Sequence, residues 1–308
     1  MKPKNIVLTI LSLLIVQFAF SQPMMQLKRS VADSLNDEGN SVSASYEYKK
    51  MFLKNPNDKN IVYNLACALA VSELTDSSFK YLNIYLKTDT STMAFTDPDF
   101  INIRDDKRWN DFEDKMIAQL NIKSKNPFKD IEYAKALWKL LAYDQAYFKE
   151  IGIAGRKTGS NSSVVRSIWK FKFSINEKNL AELEGLIAKK GWPKKSDVGG
   201  SASGAAFFVI QHSNPEMQIK YLPTLKKLCE EKEAKWEHYA LMYDRAQTSQ
   251  KKPQRYGSQI NYNEKTNSFE LFPLEDESKV DEWRKEIGLG PLSDYVARWN
   301  IKFEPSKK

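Results

Sequence analysis

The sequence predicts a mainly α protein: N-terminal helical hairpins, then a helical domain that carries one β-hairpin. Three observations predict it. A ten-residue pattern recurs with an offset of 33 residues, apolar residues fall at three- and four-residue spacing through most of the chain, and one stretch, near 254–272, alternates with period two. At 308 residues and 42% hydrophobic content the chain is long enough for about two domains with cores of their own.

The first residues read MKPKNIVLTILSLLIVQFAFSQ. Lys2 and Lys4 precede an apolar run from Ile6 to Phe20, and Ala19-Phe20-Ser21 fits a small-x-small cleavage site. This predicts a signal peptide over 1–21, cleaved after Ser21, and a periplasmic or secreted protein. The rival reading is an uncleaved N-terminal anchor. The run is short and carries Thr9, Ser12 and Gln17, which favours the leader, and no later stretch is long and apolar enough to span a bilayer. The two cysteines, Cys67 and Cys229, sit in helical patterns in different halves and read as buried free thiols.

The helical hairpins are expected over 36–120. SYEYKKMFLK (45–54) matches SFKYLNIYLK (78–87) at Ser, Tyr, Leu and Lys. Between them Pro56 breaks the chain, and Val62, Leu65, Ala66, Leu69 and Ala70 recur at helical spacing. A degenerate third unit follows, starting at Asp97-Pro98 and continuing through Trp109, Phe112 and Met116. This period, break and Leu-Ala core resemble tetratricopeptide repeats, and the resemblance implies docking of a protein or peptide. With so few repeats, packing against the rest of the chain is an equal expectation. The polar stretch 121–130, with Pro127, is expected as a linker.

The second domain is expected over 131–303. Ala134, Leu137, Trp138, Leu141 and Ala142 open it as a helix, and GIAGRKTGSNSS (152–163) reads as a surface loop without the spacing of a phosphate loop. A helix capped at Asn176 or Asn179 should run to Lys190 and stop at Gly191. Another, capped at Ser201 or Ser203, should end near His212, with Ala205, Phe208, Val209 and His212 on one face. The segment around Trp236–Gln247 is apolar on both faces, so Asp244 and Arg245 need partners there. QRYGSQINYN and SFELFPL form the β-hairpin, and a last helix runs from about Ser278 to Ile287.

GWP (191–193), QH (211–212), DR (244–245) and QRYGSQ (254–259), in that order, resemble the bacterial family catalogued as domain of unknown function 6624. The resemblance covers about 131–300 and implies an architecture and candidate positions, with no reaction attached. It also implies an Arg three residues after Asp144-Gln145, where this chain has Phe148.

His212, Asp244, Arg245, Gln254, Tyr256 and Gln259 come from separate segments, and they are expected to converge. In a pocket, His212 would be the acid or base and Asp244 would orient it. Arg245 would clamp a carboxylate or phosphate, and Gln211, Trp192, Gln254, Tyr256 and Gln259 would line the ligand. In the structural alternative His212 caps a helix end, Asp244 and Arg245 satisfy loop backbone groups and the glutamines pin the hairpin, a fold-specifying network. No GxSxG elbow or HExxH is present, and two histidines with two distant cysteines make a poor metal set, so neither metal nor cofactor is expected. Residues 22–125 hold 14 Lys and Arg against 15 Asp and Glu, whereas 126–308 hold 31 against 24. The lysines of the basic half are scattered, which suits a solvated face and gives no nucleic-acid stripe. Two functions fit: an exported binding or scaffold protein with a pocket for a polar or anionic ligand, or an extracytoplasmic hydrolase acting through His212 and Asp244.

Overall fold

Residues 30–125, 127–263 and 266–305 are described by a computed structural model, so the expected signal peptide lies outside the described residues. The chain is mainly α with one small antiparallel β-hairpin. It divides into two units, 30–209 and 210–305. The stretch 121–130 falls inside the first unit and starts as the last turn of a helix.

The first unit opens with α1 (Val31–Asp37), α2 (Ser41–Lys54), α3 (Lys59–Val71) and α4 (Thr75–Tyr85). The first three start at side-chain caps: Ser30 and Asp33 form a capping box on α1, Asn40 accepts from the Ser43 amide on α2, and Asp58 accepts from two amides at the head of α3. The repeated decapeptide falls on α2 and α4, on either side of α3. Ala66, Ala68 and Ala70 of α3 are fully buried, and the Ser78 hydroxyl of α4 reaches the Ala66 carbonyl at 2.9 Å. Small side chains let these two helices come that close.

Short α5 (Met93–Thr96) and a 3-10 helix (Pro98–Ile103), capped by Asp97, lead into α6 (Lys107–Ser124). Then come α7 (Ile131–Gln145), α8 (Phe148–Thr158), α9 (Ser163–Lys190) and α10 (Lys195–Gln211). The Trp138 ring of α7 packs 4.7 Å from Phe95, which ties α7 to the hairpin region.

Two expectations are corrected here. Residues 152–158 are helical, and only a short turn near Gly159 remains of the expected loop. Gly152 and Gly155 each cost about 1 kcal/mol in a helix, and long-range contacts offset that. Ile151 is buried, Lys149 donates to the Asn36 side chain (3.1 Å), and Arg156 and Lys157 donate to the carbonyls of Asp37 (2.9 Å) and Glu38 (3.0 Å) at the end of α1. Cations at a helix C-terminus meet its orphan carbonyls and its dipole. The second correction concerns α9, which starts at Ser163, capped by Ser162, so that Asn176 and Asn179 are interior. Asn179 donates to the Leu140 carbonyl of α7, and Asn176 accepts from Lys172 at 2.9 Å. The Lys172 ammonium also lies 4.7 Å over the Phe148 ring and bonds the Asp144 carbonyl. A lysine from α9 therefore brings the positive charge to the position where the resemblance implied arginine.

The second unit takes the last two residues of α10, then α11 (Pro215–Glu230) and α12 (Trp236–Ser249). Strands β1 (Ile260–Asn263) and β2 (Ser268–Leu271) pair in register Ile260 to Leu271 and Tyr262 to Phe269. Helices α13 (Val280–Glu286) and α14 (Leu292–Val296) close the chain. Ile260, Val280, Leu292 and Val296 form a buried cluster under Phe269, Leu271 and Trp299. Gly257 has φ +67°, and a Cβ there would lie 2.6 Å from a Leu292 methyl, so the turn before the hairpin requires glycine. Among the described residues no helix is long and apolar enough to cross a membrane.

Candidate functional site

Three segments of the second unit build the site: the end of α10, one face of α12, and the loop 254–259 that leads into β1. The helix α10 ends at Gln211 as expected, and His212 follows it, buried.

Asp244 is fully buried and receives the loop. Its carboxylate accepts from the amides of Arg255 (2.8 Å), Tyr256 (3.1 Å) and Ser258 (2.9 Å). Burial pushes its pKa up, and the three amides pull it back. None of its hydrogen bonds goes to His212, so the orienting pair expected from sequence is not formed. Gln254 pins the other side of the loop. Its side-chain NH2 donates to the carbonyls of Gln259 and Phe272, each at 3.0 Å, and its carbonyl accepts from the Gln259 amide at 2.8 Å. Tyr256 is buried with its ring against Tyr239 and Tyr243. These three residues hold the loop's shape.

Arg245, one residue on, faces a different problem. Its Nε donates to Gln259 Oε1 (3.2 Å) and its Nη1 to the Gln211 carbonyl (3.2 Å), the free end of α10. Among the described residues no carboxylate pairs with it, and Nη2 has no hydrogen-bond partner. Desolvation pulls its pKa down to about 10, although part of the side chain reaches the surface. The dipole of α10 offers roughly half a charge in compensation. Gln211 and Gln218 complete the surround. Gln218 donates to the Gln211 carbonyl (3.1 Å), and Gln211 and Gln259 both donate to the Leu241 carbonyl (3.4 and 3.3 Å).

Convergence is thus observed for Gln211, Asp244, Arg245, Gln254, Tyr256 and Gln259. Trp192 belongs to the first unit, where it is buried. Sequence reasoning missed Gln218, Arg284, Ser258 and Tyr295. Arg284 is buried, and donates to the carbonyls of Tyr256 (2.6 Å) and Gly290 (2.7 Å); Tyr295 donates to the Ser258 carbonyl (3.1 Å). Gln218 and Arg284 had a signal. Gln218 shares the stripe of Tyr221, Leu225 and Leu228, and Arg284 lies four residues after Val280.

A set of possible metal ligands lies in the first unit: Cys67, Asp97 and Asp99, with ligand atoms within 4.8 Å of one another. The Tyr63 hydroxyl already donates to Asp97 at 2.5 Å. Burial and the neighbouring Asp97 push the Asp99 carboxyl up to about 6. Both cysteines are buried free thiols.

A family model matches residues 132–303, more than half of the chain. The chain belongs to the family of unknown function DUF6624. The DUF6624 region takes in α7 to α14, and with them every residue of the Arg245 surround. The match does not extend to α1–α4, whose hairpins carry no family assignment. No curated protein and no solved structure matched the chain.

Proposed function

We propose that this DUF6624 protein is an exported binding protein whose second unit holds a small anionic ligand on Arg245. One observation carries the reading: a desolvated guanidinium with a free Nη2 and no carboxylate beside it. The open Nη2 edge has donors to spare, and a carboxylate or phosphate on it would form charge-assisted hydrogen bonds. The loop network around Asp244 and Gln254 supplies rigidity, which limits the entropy lost on binding. The hydrolase reading gains no support from Asp244, whose carboxylate holds the loop amides. Export rests on Lys2 and Lys4 ahead of the apolar run to Phe20.

In the same proposal the tetratricopeptide-like hairpins dock a protein partner. Val42, Tyr46 and Leu53 support this: they form an exposed apolar stripe along α2, at 52%, 65% and 72% exposure.

The test is a thermal-shift titration with acetate and inorganic phosphate on the wild type and on Arg245→Met. A ligand at 100 times its Kd stabilises by about 2.7 kcal/mol, so the wild type should melt several degrees higher and the variant should not respond. Equal responses in the two proteins would overturn the proposal.

A further inference from the structure

We propose that the ligand at Arg245 is a small carboxylate bearing a hydrogen-bond donor, ammonium or hydroxyl, which the side-chain carbonyls of Gln211 and Gln218 receive. This rests on the anion reading above and adds the chemistry of the ligand's other end.

The observation is a pair of orphan acceptors. Gln211 is 1% exposed and Gln218 3%, and the Oε1 atom of each is buried without a hydrogen-bond partner. Their orientation is set by their nitrogens. Gln218 Nε2 donates to the carbonyls of Gln211 (3.1 Å) and Ser213 (3.2 Å), and Gln211 Nε2 donates to that of Leu241 (3.4 Å). Exchanging oxygen and nitrogen in either amide would set an acceptor against carbonyl oxygens, so both oxygens must face elsewhere. Each buried acceptor left unmade costs about 1–3 kcal/mol.

Both orphans belong to the Arg245 surround. Arg245 Nη1 and Gln218 Nε2 converge on the single Gln211 carbonyl oxygen. Gln211 and Gln259 share the Leu241 carbonyl, and Gln259 in turn accepts from Arg245 Nε. One cation and two amides with unpartnered oxygens are thus linked through shared carbonyl partners, and a ligand that pairs a negative group with a donor would complement both kinds of group. A plain carboxylate satisfies the guanidinium and leaves both glutamine oxygens orphaned. A fully ionised phosphate does the same. The ammonium of an amino acid has donors for both oxygens, and the single hydroxyl of a hydroxy acid has one for either of them.

Calorimetric titration of the full chain with glycine, glycolate and acetate tests this, because acetate keeps the carboxylate and lacks the donor. Glycine, glycolate or both should bind at least about tenfold more tightly than acetate, which is 1.4 kcal/mol. In Gln211→Met that preference should collapse toward unity, and Gln218→Met should repeat the result. Circular dichroism checks that each variant is folded; if neither is, the wild-type ratio decides alone. Acetate binding as tightly as the other two, with loss of all three in Arg245→Met, would overturn this inference and leave the anion site standing. No binding of any probe to the wild type would overturn both.

Discussion

Replacing Asp244 with Ala separates a loop-holding carboxylate from a catalytic one. In the structure this side chain receives three backbone amides, at 2.8, 3.1 and 2.9 Å, from Arg255, Tyr256 and Ser258. Alanine leaves those donors without their acceptor in a buried place. Each unsatisfied donor costs about 1–3 kcal/mol, and partial relaxation toward water lowers the total to about 4 kcal/mol. At roughly 2–4 °C per kcal/mol for a chain region of this size, the melting temperature should fall by roughly 8–16 °C. The loop also carries Gln259, so Arg245 should lose its Nε partner and anion affinity should drop with stability. Differential scanning calorimetry and urea denaturation measure the first effect, and titration with acetate the second. A catalytic Asp244 predicts the opposite pattern, a melt near wild type. A melting temperature within about 2 °C of wild type would refute the loop-holding account.

Other expectations follow from the same geometry. Gly257→Ala places a methyl 2.6 and 2.8 Å from the two Leu292 methyl groups in a backbone at φ +67°, and should cost about 2–4 kcal/mol by chemical denaturation; adding Leu292→Ala should cost less than the two single losses together. His238 is buried, and burial pulls its pKa from 6.5 down to about 3. The unfolded chain therefore binds the proton more readily between those values, so stability should fall as pH drops through that window, by at most about 1.4 kcal/mol per pH unit from this group. His238→Gln should flatten that slope in denaturation curves taken at successive pH values. Mass spectrometry of the exported protein should find Gln22 as its first residue, and an intact Met1 would refute cleavage after Ser21.

What the sequence revealed and what it hid have physical reasons. The hairpins were legible because Val62, Leu65, Leu69 and the decapeptide at 45 and 78 carry periodicity and repetition, both local properties. The β-hairpin was legible because Tyr262 and Phe269 lie in short alternating runs. Helix α8 was hidden: its glycines lower local propensity, and its stability comes from Lys149, Arg156 and Lys157 reaching α1, over 100 residues earlier. The meeting of Arg245, Gln259 and Gln211 was anticipated from residue type, since a polar group on a helix buried on both faces needs a partner. That Asp244 holds loop backbone groups was one of the two alternatives open in the sequence; which amides it takes was hidden, because backbone amides have no residue type to read. Arg284 was passed over for a related cause: amid Asp281, Glu282, Lys285 and Glu286 it looks like part of a solvated face, and its burial depends on a turn 28 residues upstream.

The three cations that α8 sends to the end of α1 also constrain the order of events during synthesis. The carbonyls of Asp37 and Glu38 meet Arg156 and Lys157 across 119 residues of chain. A ribosome releases the first hairpin well before it has made those side chains. Helix α1 therefore waits, its tail open to water, until more than a third of the polypeptide has followed it out.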